Sequence, residues 1–260
     1  MGLPSTPRQA ITVARYELWK LIKEWRLIGL IILVTAFSIV VAKELERSGD
    51  AVQFAKSFFT IVAVLLIPIV GIIFGGNVLA SEFERKTGYM LFSNPIRRAT
   101  VIAGKFTACF ISVVIMISIY YSIGIASMSG LYGEMPATLL GSFGLAILYG
   151  CAVLSLTFLF SSILSVMGAT VISFFTLLMI MPILHSVLLN QLMIEPWCIL
   201  TYTSGAIGAY INPPAQRVVI TPSGSSYAYP DFTISALVMT VYILVSLILT
   251  AIATKRREMR

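Results

Sequence analysis

Charged residues are scarce in this chain of 260 residues, where they make up only 11% of the sequence. Hydrophobic residues make up 58%, and the mean hydropathy is +0.95. A folded domain in water carries about a quarter charged residues, because its surface must be hydrated. So few charges cannot cover a soluble globule of this length, whereas a surface in contact with lipid needs no such cover. The composition therefore predicts an integral membrane protein.

The residue patterns of disulfide frameworks, metal sites and ATPases are also missing. The chain has three cysteines, no CxxC pair and one histidine, His185, which excludes a disulfide framework and a zinc site. It has no GxxxxGK[ST] phosphate-binding loop. The nearest approach is Gly71–Gly76, which Asn77 follows inside an apolar run, where glycines allow close helix packing. We therefore expect no metal, no cofactor and no ATPase site in this chain.

Apolar runs predict an all-α protein with a single transmembrane domain over residues 1–260. A helix needs about 20 apolar residues to cross the hydrocarbon core. The stretch 137–192 contains no Asp, Glu, Lys or Arg and is too long for one crossing, so we expect a hairpin that turns near Ser161–Ser165. The predicted spans cover residues 27–42, 57–80, 100–128, 137–160, 166–189 and 234–254.

The distribution of lysine and arginine predicts the topology. With the N-terminus inside, 14 of the 18 basic residues fall in cytoplasmic segments. This predicts a multi-pass protein of the cell membrane with both termini in the cytoplasm. The net charge of +7 lies at the edges of apolar runs and not in one patch, so we expect no nucleic-acid partner. The four basic residues left outside are Lys43, Arg47, Lys56 and Arg217.

The N-terminal segment predicts an amphipathic helix over residues 8–25. One face of it is apolar, whereas Glu17 falls with the charged residues opposite. The apolar face holds Ile11, Ala14, Leu18, Leu21, Ile22 and Trp25. Such a helix lies in the headgroup plane, either as a simple anchor or with a specific docking role. The residues before the first apolar run carry seven charges, which is not the pattern of a cleavable signal peptide.

A long segment before the last span, 193–231, is interpreted as an outer segment. Its first part, Trp197–Asn212, is moderately apolar but is interrupted by Gly205 and Gly208. A seventh span here would place the basic cluster Lys255–Arg257 outside. We therefore predict a re-entrant or surface-lying segment, followed by an ordered loop.

The loop after the second span carries the clearest functional pattern, a coupling helix over residues 81–95. Ser81 followed by Glu84 three residues later is a capping box, which marks the start of a helix. Asn94-Pro95 ends it, since the residue before proline avoids helical geometry. A short charged helix at this place either docks into a soluble partner or serves as an ordinary connector.

This loop resembles the coupling segment of the type-2 permease family of ATP-binding-cassette transporters. The order of a surface helix, six spans and a long outer segment is also similar to that family. The residues that carry the resemblance are Glu82 and Glu84, Thr87-Gly88 in an inverted order, Leu91, Pro95-Ile96 with Arg97 or Arg98, and Gly104-Lys105.

The resemblance implies a permease subunit that works with a separate nucleotide-binding subunit, which would hold ATP and Mg. It also implies pairing with a second copy of the chain or a related permease, and it favours export over import. Glu82 and Glu84 would face basic groups of the ATPase. The implied coupling residues are Glu82, Glu84, Arg85, Lys86, Gly88, Leu91, Pro95 and Arg97.

Few polar residues in the predicted spans are candidates for a transport pathway. No Asp, Glu, Lys or Arg lies in the middle of a span, which disfavours ion-coupled transport. Two other classes remain open: an intramembrane enzyme that pairs His185 with a serine, and a sensor or scaffold subunit that moves no solute. The pathway candidates are Pro68, Asn77, Pro182, His185 and Asn190.

Overall fold

The computed structural model describes residues 6–23, 25–46, 50–84, 98–133, 138–192, 194–211, 218–220, 226–228 and 230–257. In these ranges the chain is almost entirely helical. A π-helix, Phe175–Ile180, joins the two halves of one long helix, and two strands, β1 (Val218–Ile220) and β2 (Ser226–Ala228), pair antiparallel. The α-helices are α1 (Thr6–Lys23), α2 (Trp25–Leu45), α3 (Ala51–Gly75), α4 (Ala80–Glu84), α5 (Arg98–Leu131), α6 (Leu139–Ile163), α7 (Val166–Phe174), α8 (Met181–Asn190), α9 (Leu200–Ser204), α10 (Ala206–Ala209) and α11 (Phe232–Arg257).

The prediction of an all-α membrane protein with six spans is confirmed. In the described ranges, six helices are long and apolar enough to cross a membrane: α2, α3, α5, α6, α7 continued through the π-helix into α8, and α11. Helices α3, α5 and α6 form the centre, because 65%, 50% and 61% of their most apolar stretches are buried. The corresponding shares for the first, fifth and sixth spans are 22%, 11% and 17%, so these helices surround the centre.

Two groups of contacts define the ends of the bundle. At one end α1 packs along α5, and α4 contacts α6 and α7. We call this the Lys105 end, after a lysine near the start of α5. At the other end, which we call the Thr138 end, α10 packs against α3 and α6 close to Thr138.

The helix ends follow from local capping. Helix α3 begins at Ala51, six residues before the predicted start of the second span, because the Asp50 side chain accepts a hydrogen bond from Val52 N at 3.3 Å. It ends at Gly75, five residues before the predicted end. The chain turns between α6 and α7 at Leu164 and Ser165, and the Ser165 side chain accepts from Gly168 N at the start of α7.

Two glycines bring α3 against α6. Gly71 and Gly75 are four residues apart and lie on one face of α3, against Val153 and Thr157 of α6. A Cβ atom at Gly71 would lie 2.5 Å from Val153 Cγ1, so α3 and α6 can come this close only because glycine has no Cβ. The glycines therefore serve helix packing, as the sequence indicated.

We expect Gly71→Ala to destabilise the protein by about 1–3 kcal/mol, because the new methyl group overlaps Val153. The measurement is the melting temperature of the purified protein in detergent. In a Val153→Ala background the same change should be nearly neutral, since the overlapping atom is gone. A full loss in that background would contradict the packing described here.

Candidate coupling site at the Lys105 end

Three charged side chains from three helices meet at the Lys105 end. Lys105 Nζ lies 2.9 Å from Glu17 Oε1 of α1 and 2.7 Å from Glu82 Oε1 of α4. The side chain of Lys105 is only 4% exposed, and those of Glu17 and Glu82 are 15% and 22% exposed. A lysine buried to this degree needs charged partners, because removing an ammonium group from water is costly. We call these three residues the Lys105 cluster.

The position of Glu17 corrects the prediction for the N-terminal helix. Glu17 lies three residues after Ala14 and four before Leu21, so it shares their face of α1. Because α1 packs this face along α5, Glu17 is directed at Lys105 and not at solvent. The prediction that placed Glu17 on the charged face is therefore wrong, and Glu17 was not among the predicted site residues. The predicted apolar face is also only partly packed, because Ile11, Ile22 and Trp25 are 67%, 50% and 86% exposed.

The second carboxylate of α4 caps a neighbouring helix. Glu84 Oε1 accepts a hydrogen bond from Val166 N, at the first residue of α7, over 2.8 Å. The first backbone N–H groups of a helix have no partner within it and carry partial positive charge, so a carboxylate is favourable there. Glu84 therefore fixes α4 to the start of the fifth span.

A serine of α6 holds the start of α4. Ser161 Oγ is buried and accepts from Leu79 N at 3.1 Å and from Ala80 N at 3.0 Å. The predicted capping box is wrong, because Ser81 Oγ donates to Val78 O and Glu84 binds α7. The short helix α4 is thus joined by hydrogen bonds or ion pairs to α5, α6 and α7.

A comparison with known protein families identifies the family to which this chain belongs. The family model of the ABC-2 family transporter protein matches residues 11–259, nearly the whole chain. The chain belongs to the ABC-2 transporter family. It is therefore a membrane permease subunit of an ATP-binding-cassette transporter. No curated protein matches the chain.

Of the predicted coupling residues of this ABC-2 permease, Glu82 and Glu84 lie within the described ranges. Glu82 and Glu84 were expected to face a partner, but both have partners within the chain. The sequence indicated Lys105 as part of the Gly104-Lys105 element, but its contact with Glu17 was not predicted. The predicted coupling residues outside the described ranges are Arg85, Lys86, Gly88, Leu91, Pro95 and Arg97.

The five predicted pathway residues lie on two separate parts of the permease. Pro68 is buried within α3, and Asn77 is half-buried in the turn that follows. Pro182 and His185 lie in α8, and Asn190 is its last residue. The His185 ring contacts the Tyr202 ring of α9 edge to face, with the centroids 5.4 Å apart. His185 therefore packs against α9 through an aromatic contact.

The fifth span is irregular just before Pro182. In the π-helix Phe175–Ile180 the backbone hydrogen bonds reach one residue further back than in an α-helix. The Met181 N–H group donates to Thr176 O, five residues back and not four. Proline has no N–H for the regular ladder, which explains why the irregularity lies here. Such π-segments are frequent at functional sites, but in the described residues no group of His, Cys, Asp and Glu could hold a metal ion.

Two short helices of the outer segment, α9 and α10, are buried in the Thr138 end and do not lie on the surface. Helices α9 and α10 are five and four residues long, so neither can form a seventh span. Ser142 Oγ donates to Ile207 O at 2.8 Å, and Thr138 Oγ1 donates to Ile211 O at 3.2 Å. Tyr121 OH lies 2.9 Å from Ser142 Oγ and extends this network to α5.

Proposed function

We propose that this ABC-2 permease is an exporter driven by a separate ATPase subunit, which binds the segment 81–95 and holds ATP and Mg. The translocation pathway would be formed with a second copy of the chain or with a related permease. The observation that supports this proposal is the Lys105 cluster, together with the two other contacts of α4.

These contacts suit α4 to the transmission of force. A displacement of the chain just beyond Glu84 would act on α5 through Glu82 and Lys105, and on α7 through the Glu84 carboxylate. It would act on α6 through Ser161. Charges that are separated in a medium of low dielectric constant attract strongly, so the buried ion pairs would move as a unit.

The distribution of charge supports a cytoplasmic position for the Lys105 end. An even number of spans places both chain termini at one end of the bundle, and α1 marks that end. The basic residues of the N-terminal segment, the second loop and the C-terminus then share the cytoplasmic side. A soluble ATPase would meet the segment 81–95 there.

A pull-down from native membranes in mild detergent tests the proposal. We expect an ATP-binding-cassette ATPase to co-purify with the wild-type chain and to be lost with Gly88→Trp, which places a large side chain in the proposed docking segment. The matched control is Gly130→Trp, because Gly130 lies near the other end of α5 with open space around it. Equal recovery with both variants, or no ATPase with any form, would overturn the proposal.

The internal role of Glu84 gives a separate prediction. Glu84→Ala removes the cap of α7 and should lower the free energy of unfolding by about 1 kcal/mol, whereas Glu84→Gln keeps an oxygen that can accept from Val166 N. Because the carboxylate is engaged within the chain, both variants should retain most of the co-purifying ATPase. Thermal unfolding in detergent and the same pull-down measure the two effects. Loss of the ATPase with stability unchanged would show that Glu84 contacts the partner instead.

A further inference from the structure

Helix α1 has a second face that the bundle does not cover. Ile11, Tyr16 and Trp19 are 67%, 69% and 59% exposed, and Ile22 is 50% exposed. On a helical wheel Tyr16 and Trp19 lie away from the face that packs on α5, which holds Ala14, Leu18 and Leu21. Ile11 and Ile22 lie at the edge of the packed face, next to Leu18. We call this surface the outward face of α1. The cations that are exposed on it are Arg15, Lys20 and Lys23.

The outward face of α1 is basic because the acidic residue of this helix lies on the packed face. Glu17 is the only acidic residue in the sequence of α1, and its carboxylate is directed to Lys105. Lys20 Nζ lies 3.9 Å from Glu17 Oε2, at the edge of the cluster, and remains 54% exposed. Lys23 Nζ lies 3.5 Å from the centroid of the Trp19 ring. Cations and aromatic rings are therefore interleaved on this surface.

We propose that the outward face of α1 binds the headgroups of anionic phospholipids. Aromatic side chains such as Trp and Tyr favour the depth of the headgroups, and Ile11 and Ile22 would enter the adjacent acyl region. Each lysine or arginine near an anionic surface adds attraction to negatively charged lipid, which a zwitterionic headgroup does not provide. A soluble phosphate would leave the four large apolar side chains in water, so the surface fits a lipid.

The two faces of α1 then have complementary partners. Headgroup phosphates would neutralise the cations on one side, and Lys105 neutralises Glu17 on the other. Anionic lipid would in this way hold α1 flat against α5. Such lipid binding is a property of the chain itself and does not depend on the identity of an ATPase.

Quenching of Trp19 fluorescence by brominated lipids tests the proposal. The chain has three tryptophans, so Trp25→Phe/Trp197→Phe leaves Trp19 as the single reporter in the full-length protein. The protein is placed in nanodiscs that contain the same fraction of either brominated phosphatidylglycerol or brominated phosphatidylcholine. We expect phosphatidylglycerol to associate with α1 at least about fivefold more strongly than phosphatidylcholine, which is the effect of one or more cations near an anionic surface.

Neutralising the cations should abolish this preference. In Arg15→Gln/Lys20→Gln/Lys23→Gln the two lipids should quench Trp19 almost equally, whereas Lys255→Gln, an exposed cation at the end of α11, should leave the ratio unchanged. Should the triple variant fold poorly, the reporter protein itself provides a second measurement, since 0.5 M salt should reduce the ratio towards one. Equal quenching at low salt, or a ratio that neither the substitutions nor salt reduces, would overturn the proposal.

Discussion

Replacing Lys105 with methionine is expected to lower the free energy of unfolding by about 3 kcal/mol, because it removes the buried cation that lies between the Glu17 and Glu82 carboxylates. The side chain of methionine is similar in length, so the loss would come from charge and not from a cavity. The melting temperature of the purified protein in detergent measures it. Lys255→Met removes an exposed lysine of α11 and should change the melting temperature little.

The same change should be better tolerated when the carboxylates are neutral. In a Glu17→Gln/Glu82→Gln background the buried Lys105 has lost both of its carboxylate partners, so Lys105→Met removes an uncompensated charge and should be neutral or stabilising. This difference distinguishes an electrostatic cluster from simple packing around Lys105. If Lys105→Met is as well tolerated as Lys255→Met in the original background, the cluster does not stabilise this end of the bundle.

Gly208→Ala is expected to be the most damaging small substitution in the outer segment, with a loss of about 3 kcal/mol. Its Cβ would overlap Thr60 Oγ1 and would lie 2.8 Å from Lys56 O, both on α3. Thr60→Ala removes the overlapping hydroxyl together with the γ-methyl group, so it should restore part of the loss, while the Lys56 backbone carbonyl still obstructs α10. Thermal unfolding in detergent compares the three proteins.

Gly144→Ala is the matched control for the outer segment. Gly144 lies on α6 and has open space where its Cβ would be, so the added methyl should be neutral or slightly stabilising in a helix. If Gly208→Ala and Gly144→Ala lower the stability by similar amounts, the protein is generally sensitive to added volume, and the loss does not report a close contact between α10 and α3. With the contact removed by mutation, α9 and α10 should also become accessible to proteases.

The spans could be predicted from the sequence because hydropathy is a local property. A run of apolar residues without charge marks a helix in lipid, whatever its neighbours are. The ends of the helices were harder to predict, since α3 begins earlier than predicted because Asp50 caps it. The strands β1 and β2 lie where the sequence predicted a loop. The burial of α9 and α10 depends on helices from elsewhere in the chain, which a local pattern does not contain.

The candidate site could be predicted only in part. Glu82, Glu84 and Lys105 were singled out, yet their partners lie far away in sequence, as with Glu84 and Val166, which are 82 residues apart. Ser161 was noted for the turn after α6, whereas its role is to hold the start of α4. Glu17 could have been found, since its spacing from Ala14 and Leu21 places it on the packed face.

The Lys105 cluster also bears on the order in which the chain is made. A lysine in a span is difficult to insert into lipid unless a partner is present. Synthesis proceeds from the N-terminus, so Glu17 and Glu82 both leave the ribosome before Lys105. Helix α1 can already rest at the membrane surface when the third span arrives. The first helix of the chain thus provides a counter-ion in advance for a lysine that would otherwise enter the bilayer alone.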